Sequence, residues 1–527
     1  MTEDTYDYVI VGAGSAGAVL AARLSEDPGV SVLLLEAGGE TDGADEVAIP
    51  AAFPSLFKTK WDWNYSTTEQ KQLHGKRAHW PRMKALGGCS SMNAMIYIRG
   101  AHADYDSWRD QYGAEGWGYD DVLPWFLKSE NNTRLSGRYH SSGGPLHVED
   151  RSYTHELSSA FVDSAVSAGH KRTDDFNGET QLGAGQYQVT CKRGKRWSTN
   201  DAYLAPARGR SNLTVATGAL ASRVELSGER ATGVTFRQGG SEHTVNARRE
   251  VILSGGAINS PQLLMLSGIG PASHLREVGV ESRVDLGGVG ANLQDHPVTP
   301  LIWYTRNTTD VAEMSNLKNL VKWKTRGTGP LSSNIGEGGM FFATREGMSA
   351  PDLQVHVAPS GFYDNGLHEP TSRMFTAAPT LVSVASRGSI RLRSADPSWH
   401  PAIDAAYLED QTDLDALLSG VRTTWDICTQ GALADYLERP WNLPADPSDD
   451  HLLEHIRTWT QTLYHPTSTC AMGSGEDAVV DASLRVRGVE GLRVVDASVM
   501  PAVPRGNTNA PTIMVAEKAA AEIRRAR

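Results

Sequence analysis

His465 stands in the stretch "LYHPTSTCAMG", Leu463 to Gly473. Of all side chains, imidazole titrates nearest neutrality, so it is the natural group to take a proton from a hydroxyl. Downstream, "GNTNAPT" supplies Asn509, whose amide can hold an oxygen. A base and an amide of this kind suit the deprotonation of an alcohol. On residue type alone, a single histidine is more readily a hydrogen-bonded structural residue. An alcohol also gives up a hydride on oxidation, so the chain must hold an electron acceptor elsewhere.

The first residues provide a place for one. "YVIV" is a short apolar run of β-branched and aromatic residues and reads as a buried parallel strand. Gly12, Gly14 and Gly17 follow it as G-x-G-x-x-G, and Ala16, Ala18, Ala21 and Ala22 open a helix small enough to lie close to a sheet. Gly12 permits the tight turn, Gly14 lets a pyrophosphate approach the backbone, and Gly17 lets helix and strand touch. The free N–H groups of the helix start face the phosphates. "VSVLLLE" is the second strand; it ends at Glu36, which is placed to accept hydrogen bonds from an adenosine ribose. This βαβ unit fits FAD and NAD equally.

Composition narrows the partners. The 527 residues exceed one ordinary domain and suffice for two. The net charge of -12 argues against nucleic acid, whose phosphates call for a basic surface. Cys89, Cys191, Cys428 and Cys470 are scattered and form no C-x-x-C, which speaks against a disulfide framework or zinc ribbon and suits a reducing cytoplasm. The acidic start "MTEDTYDYVIVGAG" lacks the basic, apolar character of a signal peptide. No run reaches the about 18 apolar residues of a membrane-spanning helix, although peripheral contact with a membrane stays open.

Four further blocks separate FAD from NAD. They are "HWPRMKALGGCSSMNAMIYIRG" (His79 to Gly100), "GGAINSPQLLMLSGIGP" (Gly255 to Pro271), "GVGANLQDHP" (Gly288 to Pro297) and "GLRVVDASVMPAVPRGNTNAPTIMVAEKAA". In kind and order they resemble the glucose–methanol–choline (GMC) oxidoreductase family, from about Asp7 to Ile523. The closest likeness is to bacterial aliphatic-alcohol and choline dehydrogenases. The residues carry part of this reading unaided. The small residues of "LGGCSS" can lay backbone N–H groups against a flat ring or a phosphate. Asp496 ends an apolar strand, where it can bind a ribityl hydroxyl or cap the next helix.

The resemblance implies FAD, with hydride passing to flavin N5 and His465 paired with Asn509 across the ring. Cofactor contacts carry over to Gly12, Gly14, Ser15, Ala16, Gly17, Glu36 and Ala37. In the second block they fall on Trp80, Arg82, Leu86, Gly87, Gly88, Ser91, Asn93, Ala94 and Met95, and beyond it on Val224 and Ala257. Near the C-terminus they fall on Asp496, Ala497, Asn509, Ala510 and Thr512. Some relatives bind flavin covalently through a histidine beside the Gly-Ser loop; Met92 stands at that position, so non-covalent FAD is expected. The helix expected from about Pro511 would set its positive end toward the reduced flavin.

The fold class expected is α/β, α+β overall: a doubly wound Rossmann-type FAD-binding domain interleaved with a substrate domain of antiparallel sheet backed by helices. The FAD domain takes 1–150, 190–300 and 460–527; the substrate domain takes 151–189 and 301–459. Apolar alternation in "PDLQVHVAPS", "TLVSVAS" and "GSIRLRSADP" predicts a half-exposed antiparallel sheet. "DQTDLDALLSGVRTTWDICTQ" predicts a helix. "HLLEH", His451 to His455, fits a zinc-peptidase pattern but reads as a solvated helix face, so no metal is expected.

Substrate readings centre on Trp61, Val298, Leu463 and Tyr464. Choline-specific relatives place a carboxylate two positions after "LQDH"; here that residue is Val298, which favours a neutral aliphatic or aromatic primary alcohol. Glu337 is the alternative counter-charge for a cation. Leu463 replaces the valine of several oxygen-using relatives and tilts the acceptor toward a quinone or dye over oxygen. A choline enzyme, a peroxide-forming alcohol oxidase, and more remotely a lyase or decarboxylase are the alternatives this scaffold leaves open.

Overall fold

A computed structural model describes residues 5–368 and 370–526. Thr5–Val11 lies at the centre of a seven-stranded sheet, between Val32–Leu35 and Ser241–Leu253, parallel to both. Leu213–Ala216 extends the parallel set beyond Val32–Leu35, and Leu492–Val494 joins Ser241–Leu253 on its other half. Arg230–Gln238 and Leu220–Ser227 close that side as an antiparallel meander. The apolar runs are buried on both faces, as parallel strands require.

Helix Gly17–Leu24 packs so tightly that a Cβ on Gly17 would lie 1.8 Å from the Gly12 carbonyl oxygen. Gly12 itself turns at φ +98°, and a Cβ there would meet the Ser254 carbonyl oxygen at 2.5 Å. The C-terminal helix Asn509–Arg525 lies against this first helix. Glu517, fully buried, joins them: it receives Arg23 through three contacts of 2.6–3.1 Å, Lys128 at 2.9 Å and the Tyr203 hydroxyl at 3.0 Å. This clamp brings the chain's last helix to the glycine loop. The helix begins two residues before the expected Pro511.

The second sheet runs Leu437–Pro440, Leu301–Thr305, Met374–Leu381, Leu353–Ala358, Gly338–Phe342, Gly183–Gln186, all antiparallel. Pro297–Val298 and Gln461–Thr462 attach to it, although the expected boundaries put them on the FAD side. Half-exposure does not hold: Leu353–Ala358 is buried throughout. Leu353 faces the helix Gln411–Cys428, where a Cβ on Gly420 would touch its side chain at 2.6 Å. At the other end of the strand His356, Val357 and Ala358 line a cavity rather than meeting solvent. The strand thus lies between helix and cavity. Ser389–Arg391 leaves this sheet and pairs with Ala402–Asp404 in a separate ribbon.

Candidate active site

Between the two sheets lies a cavity of about 530 Å³ that runs from the glycine loop to His465. At one end, Gly12, Gly14, Ser15, Ala16, Glu36 and Ala37 form its wall. A Cβ on Gly14 would meet only Gly88, at 3.8 Å, and would otherwise fill the cavity. The Glu36 carboxylate is buried and accepts from the backbone N–H groups of Ala13 at 2.9 Å and Gly38 at 2.7 Å, so it fastens the loop it was expected to complement. Burial pushes its pKa up against those bonds. Asp496 also lines the cavity. It accepts from Gly256 N at 2.9 Å, Ser260 Oγ at 2.6 Å and Ser498 N at 2.8 Å, which realises the capping alternative on its inner side.

The middle of the wall is the segment Gly88 to Ile96, without Ser90 and Ser91. Arg196, which sequence reading passed over, organises it. Its buried guanidinium donates to the carbonyl oxygens of Asn93 at 2.6 Å, Ser90 at 3.2 Å and Val47 at 2.9 Å, with no carboxylate partner among the described residues. Burial draws its pKa down to about 10. A cation on these carbonyls aims the opposite, N–H side of the loop at a ligand.

Several expected contacts stand behind the wall rather than in it. Trp80 is buried and donates to the Tyr407 hydroxyl. Leu86, Gly87 and Ser91 shape the loop from within, Ser91 Oγ donating to the Leu86 carbonyl at 3.0 Å. Gly17 and Ala510 serve packing. Val224 is turned away, its N–H given to Ser267 Oγ, and Ala219 to Ala221 take its place on the cavity. Trp61 packs in a separate small cluster beside Phe53 and Leu56, with its indole toward Glu46, so Phe53 and Phe57 line the cavity in its stead. Arg82, Asn93, Ala94, Met95, Ala257, Ala497, Asn509, Thr512, Val298, Leu463 and Tyr464 are on the wall.

At the far end His465 is held from both sides. Its backbone N–H donates to buried Asp295 at 2.7 Å, and the other Asp295 oxygen takes the hydroxyls of Thr462 and Tyr407. Its Nδ1 lies 3.0 Å from Nδ1 of His296, and its Nε2 lies 3.3 Å from Nδ2 of Asn507. The partner expected was Asn509. That side chain instead accepts from Ser15 Oγ at 2.8 Å, because the first turn of its helix is drawn to the glycine loop. Asn507 precedes the helix and reaches the imidazole. "GNTN" holds both asparagines, and nothing in its pattern ranks them.

The contacts suit one tautomer. Gln354 Nε2 donates to Asn507 Oδ1 at 3.4 Å, which turns the amide N–H group toward His465. An amide nitrogen only donates, so Nε2 of His465 accepts and carries no proton. The proton is then on Nδ1 and is donated to His296. Burial, with His296, His356 and Arg82 nearby, holds the His465 pKa well below the usual histidine range. A neutral imidazole with an unprotonated Nε2 on the cavity side is the form a general base needs.

His356 lines the same cavity; its Nδ1 sits 3.3 Å from Thr380 Oγ1, and its Nε2 has no partner among the described residues. Glu337 is away from the cavity wall: it accepts from His155 N at 2.8 Å, Ser158 Oγ at 2.7 Å and Ser333 Oγ at 2.6 Å. In "HLLEH", His451 caps its own helix at Ser448, while both ring nitrogens of His455 face carbonyl oxygens of Asn442 and Pro300. The two rings therefore do not converge.

Residues 6–298 and 384–516 match the two patterns described as GMC oxidoreductase. Over 529 residues the chain is 44% identical to an uncharacterized GMC-type oxidoreductase of Mycobacterium tuberculosis, covering 98% of this chain and 99% of the relative. It is 42% identical over 535 residues to an oxygen-dependent choline dehydrogenase of Burkholderia pseudomallei, covering 100% and 94%. Among solved structures, pyridoxine 4-oxidase from Mesorbium loti superposes with a TM-score of 0.91 at 32% identity, covering 99% of both chains. A glycine cradle, a cavity of dinucleotide reach and a neutral histidine at its end agree with these likenesses: the chain belongs to the GMC oxidoreductase family, FAD-binding enzymes that act on CH–OH groups.

Proposed function

We propose that the chain oxidises a neutral aliphatic or aromatic primary alcohol to the aldehyde. The observation that carries this reading is the makeup of the cavity around His465: Phe53, Phe57, Val298, Phe362 and Tyr464 give it an apolar end. Its carboxylates are Glu36, Asp62 and Asp496, and all are engaged by the protein. Asp62 accepts from the N–H groups of Lys58, Asn64 and Arg82 and from His79. A quaternary ammonium there would find no carboxylate free of protein hydrogen bonds to pair with, whereas an apolar alcohol leaves water at no such cost.

FAD, when bound, supplies the hydride acceptor. Nε2 of His465 takes the hydroxyl proton. Asn507 Nδ2 donates to the substrate oxygen as its negative charge grows. His296 keeps the accepting nitrogen of His465 toward the substrate by receiving the Nδ1 proton, and Asp295 fixes the backbone beneath the ring. Asn509 holds Ser15 and so steadies the cofactor loop. Leu463 narrows the space beside His465, which supports a quinone or dye over oxygen as acceptor. Free cysteines, three of them buried, suit a reducing compartment and support a cytoplasmic location. Among the described residues, no helix is long and apolar enough to cross a membrane.

Choline is the second reading, favoured by the 42% identity to choline dehydrogenases. The aromatic rings could hold a trimethylammonium group through cation–π contact of about 0.5–2 kcal/mol. The deciding measurement is kcat/KM for hexanol and benzyl alcohol against choline; a tenfold or greater preference for choline overturns the neutral-alcohol reading. His465→Ala is expected to retain FAD while flavin reduction by alcohol falls about 10²–10⁴-fold. Near-normal reduction in that variant would remove His465 from the mechanism.

A further inference from the structure

Helix Leu317–Arg326, "LKNLVKWKTR", stands on the surface with only Trp323 buried. Leu317 is 76% exposed and Val321 54%, two of the four exposed large hydrophobic residues among those described. Spaced i and i+4, they share one face. Lys318 and Lys322 form the adjacent row with the same spacing, and both are exposed. The helix carries Lys318, Lys322, Lys324 and Arg326 and no acid, in a chain of net charge -12.

A second basic element is docked beside it. The hairpin Cys191–Lys192 and Lys195–Arg196 receives the Trp323 indole N–H on the Gly194 carbonyl at 2.8 Å, and Lys195 Nζ lies 5.2 Å from the Trp323 ring. Arg193 and Lys195 are exposed and add to the same patch. Two nearby carboxylates are engaged: Asp45 pairs with Lys324 at 2.6 Å, and Glu149 accepts the N–H groups of Arg193 and Gly194. No ion pair forms to Lys318, Lys322 or Arg326 among the described residues.

We propose that this helix and hairpin dock the enzyme on an anionic lipid bilayer, with Leu317 and Val321 dipping among the acyl chains and the cations on the headgroups. Charge complementarity names the occupant, since a basic amphipathic helix is drawn to anionic lipid. Shape favours a bilayer over a protein. Two side chains on a convex helix cover far less than the roughly 800 Å² per partner of a stable protein contact, but suffice for shallow insertion. This surface is independent of the substrate reading.

The holoenzyme is tested by sedimentation with phosphatidylcholine vesicles, with and without phosphatidylglycerol. Binding is expected only with phosphatidylglycerol and is expected to reverse at high salt. L317D/V321D and K318E/K322E should each weaken it about tenfold or more, with FAD content and alcohol kcat/KM in detergent-free buffer unchanged. Equal sedimentation with both lipids, or variants that bind like the parent, overturns the proposal. So does a concentration-dependent increase in mass without lipid that L317D/V321D abolishes, since the face would then join two copies of the chain.

Discussion

Replacing Asn507 and Asn509 separately by alanine distinguishes two residues that the sequence presents almost side by side. The Asn507 contact to His465, at 3.3 Å, is longer than the usual 2.9–3.0 Å of an N–H donor, so it is weak before the reaction. Its worth appears when charge develops on the substrate oxygen, where such a bond contributes about 1.5–3 kcal/mol. At about 1.4 kcal/mol per tenfold, Asn507→Ala should slow flavin reduction roughly 10- to 200-fold while FAD stays bound. Asn509→Ala removes instead the 2.8 Å bond from Ser15 Oγ, a neutral contact worth about 1 kcal/mol. That variant should lose FAD about fivefold more readily yet reduce within about twofold of the parent rate once FAD is saturating. Anaerobic stopped-flow bleaching of the flavin by hexanol gives the first quantity and FAD titration the second. If Asn509→Ala, fully loaded, is slower than Asn507→Ala, the division of roles drawn from these distances is wrong.

Acid precipitation should leave yellow FAD in the supernatant, because Met92 on the cavity wall offers no nucleophile; a yellow pellet would show another attachment. Leu463→Val should raise the rate of peroxide formation in air, and an unchanged rate would show that Leu463 does not restrict oxygen. Because the His465 pKa is held well below 6.5, its base form persists as pH falls, so reduction rates should stay flat from pH 8 through 6.5 and decline only below; a midpoint at or above 6.5 would contradict its burial. His296 and His356 are lowered to about 3 and His455 to about 4, all chiefly by burial. Below 6.5 the unfolded chain takes up protons at these sites before the folded one does, so stability is full above 6.5 and is lost on acidification. At pH 5 the loss is roughly 2 kcal/mol per histidine, read as a falling Tm between pH 7 and 5. A Tm flat over that window would mean these rings charge without penalty.

The cofactor half of the protein was legible because its chemistry is local. Gly12, Gly14 and Gly17 act within one turn, and the strands on either side of them are contiguous apolar runs, so neighbours in sequence are neighbours in space. The sheet over the active site was read as a sheet from its alternation, but its second face was assigned to water. Period two says only that two faces differ; whether the polar one meets solvent or a cavity depends on what else packs there. The Lys and Leu rows of Leu317–Arg326 went unremarked for a related reason: exposure is not written in a residue's type.

The sequence by itself determined the glycine cradle, the acid at the end of the second strand, the family and the histidine that ends the cavity. Each is carried by residue types at short, fixed spacings. Only the tertiary structure decided which asparagine reaches that histidine, that His296 meets its other ring nitrogen, that Arg196 holds the loop, and that Trp61 and Glu337 stand off the cavity. These are contacts between segments far apart in the chain: Asp295 and His296 against His465, Arg196 against Asn93, Ser15 against Asn509. A two-residue shift in where a helix begins exchanges one such partner for another without changing any local pattern. The information that selects between them lies in the packing of Glu517 with Arg23 and Lys128, which sets the last helix against the first.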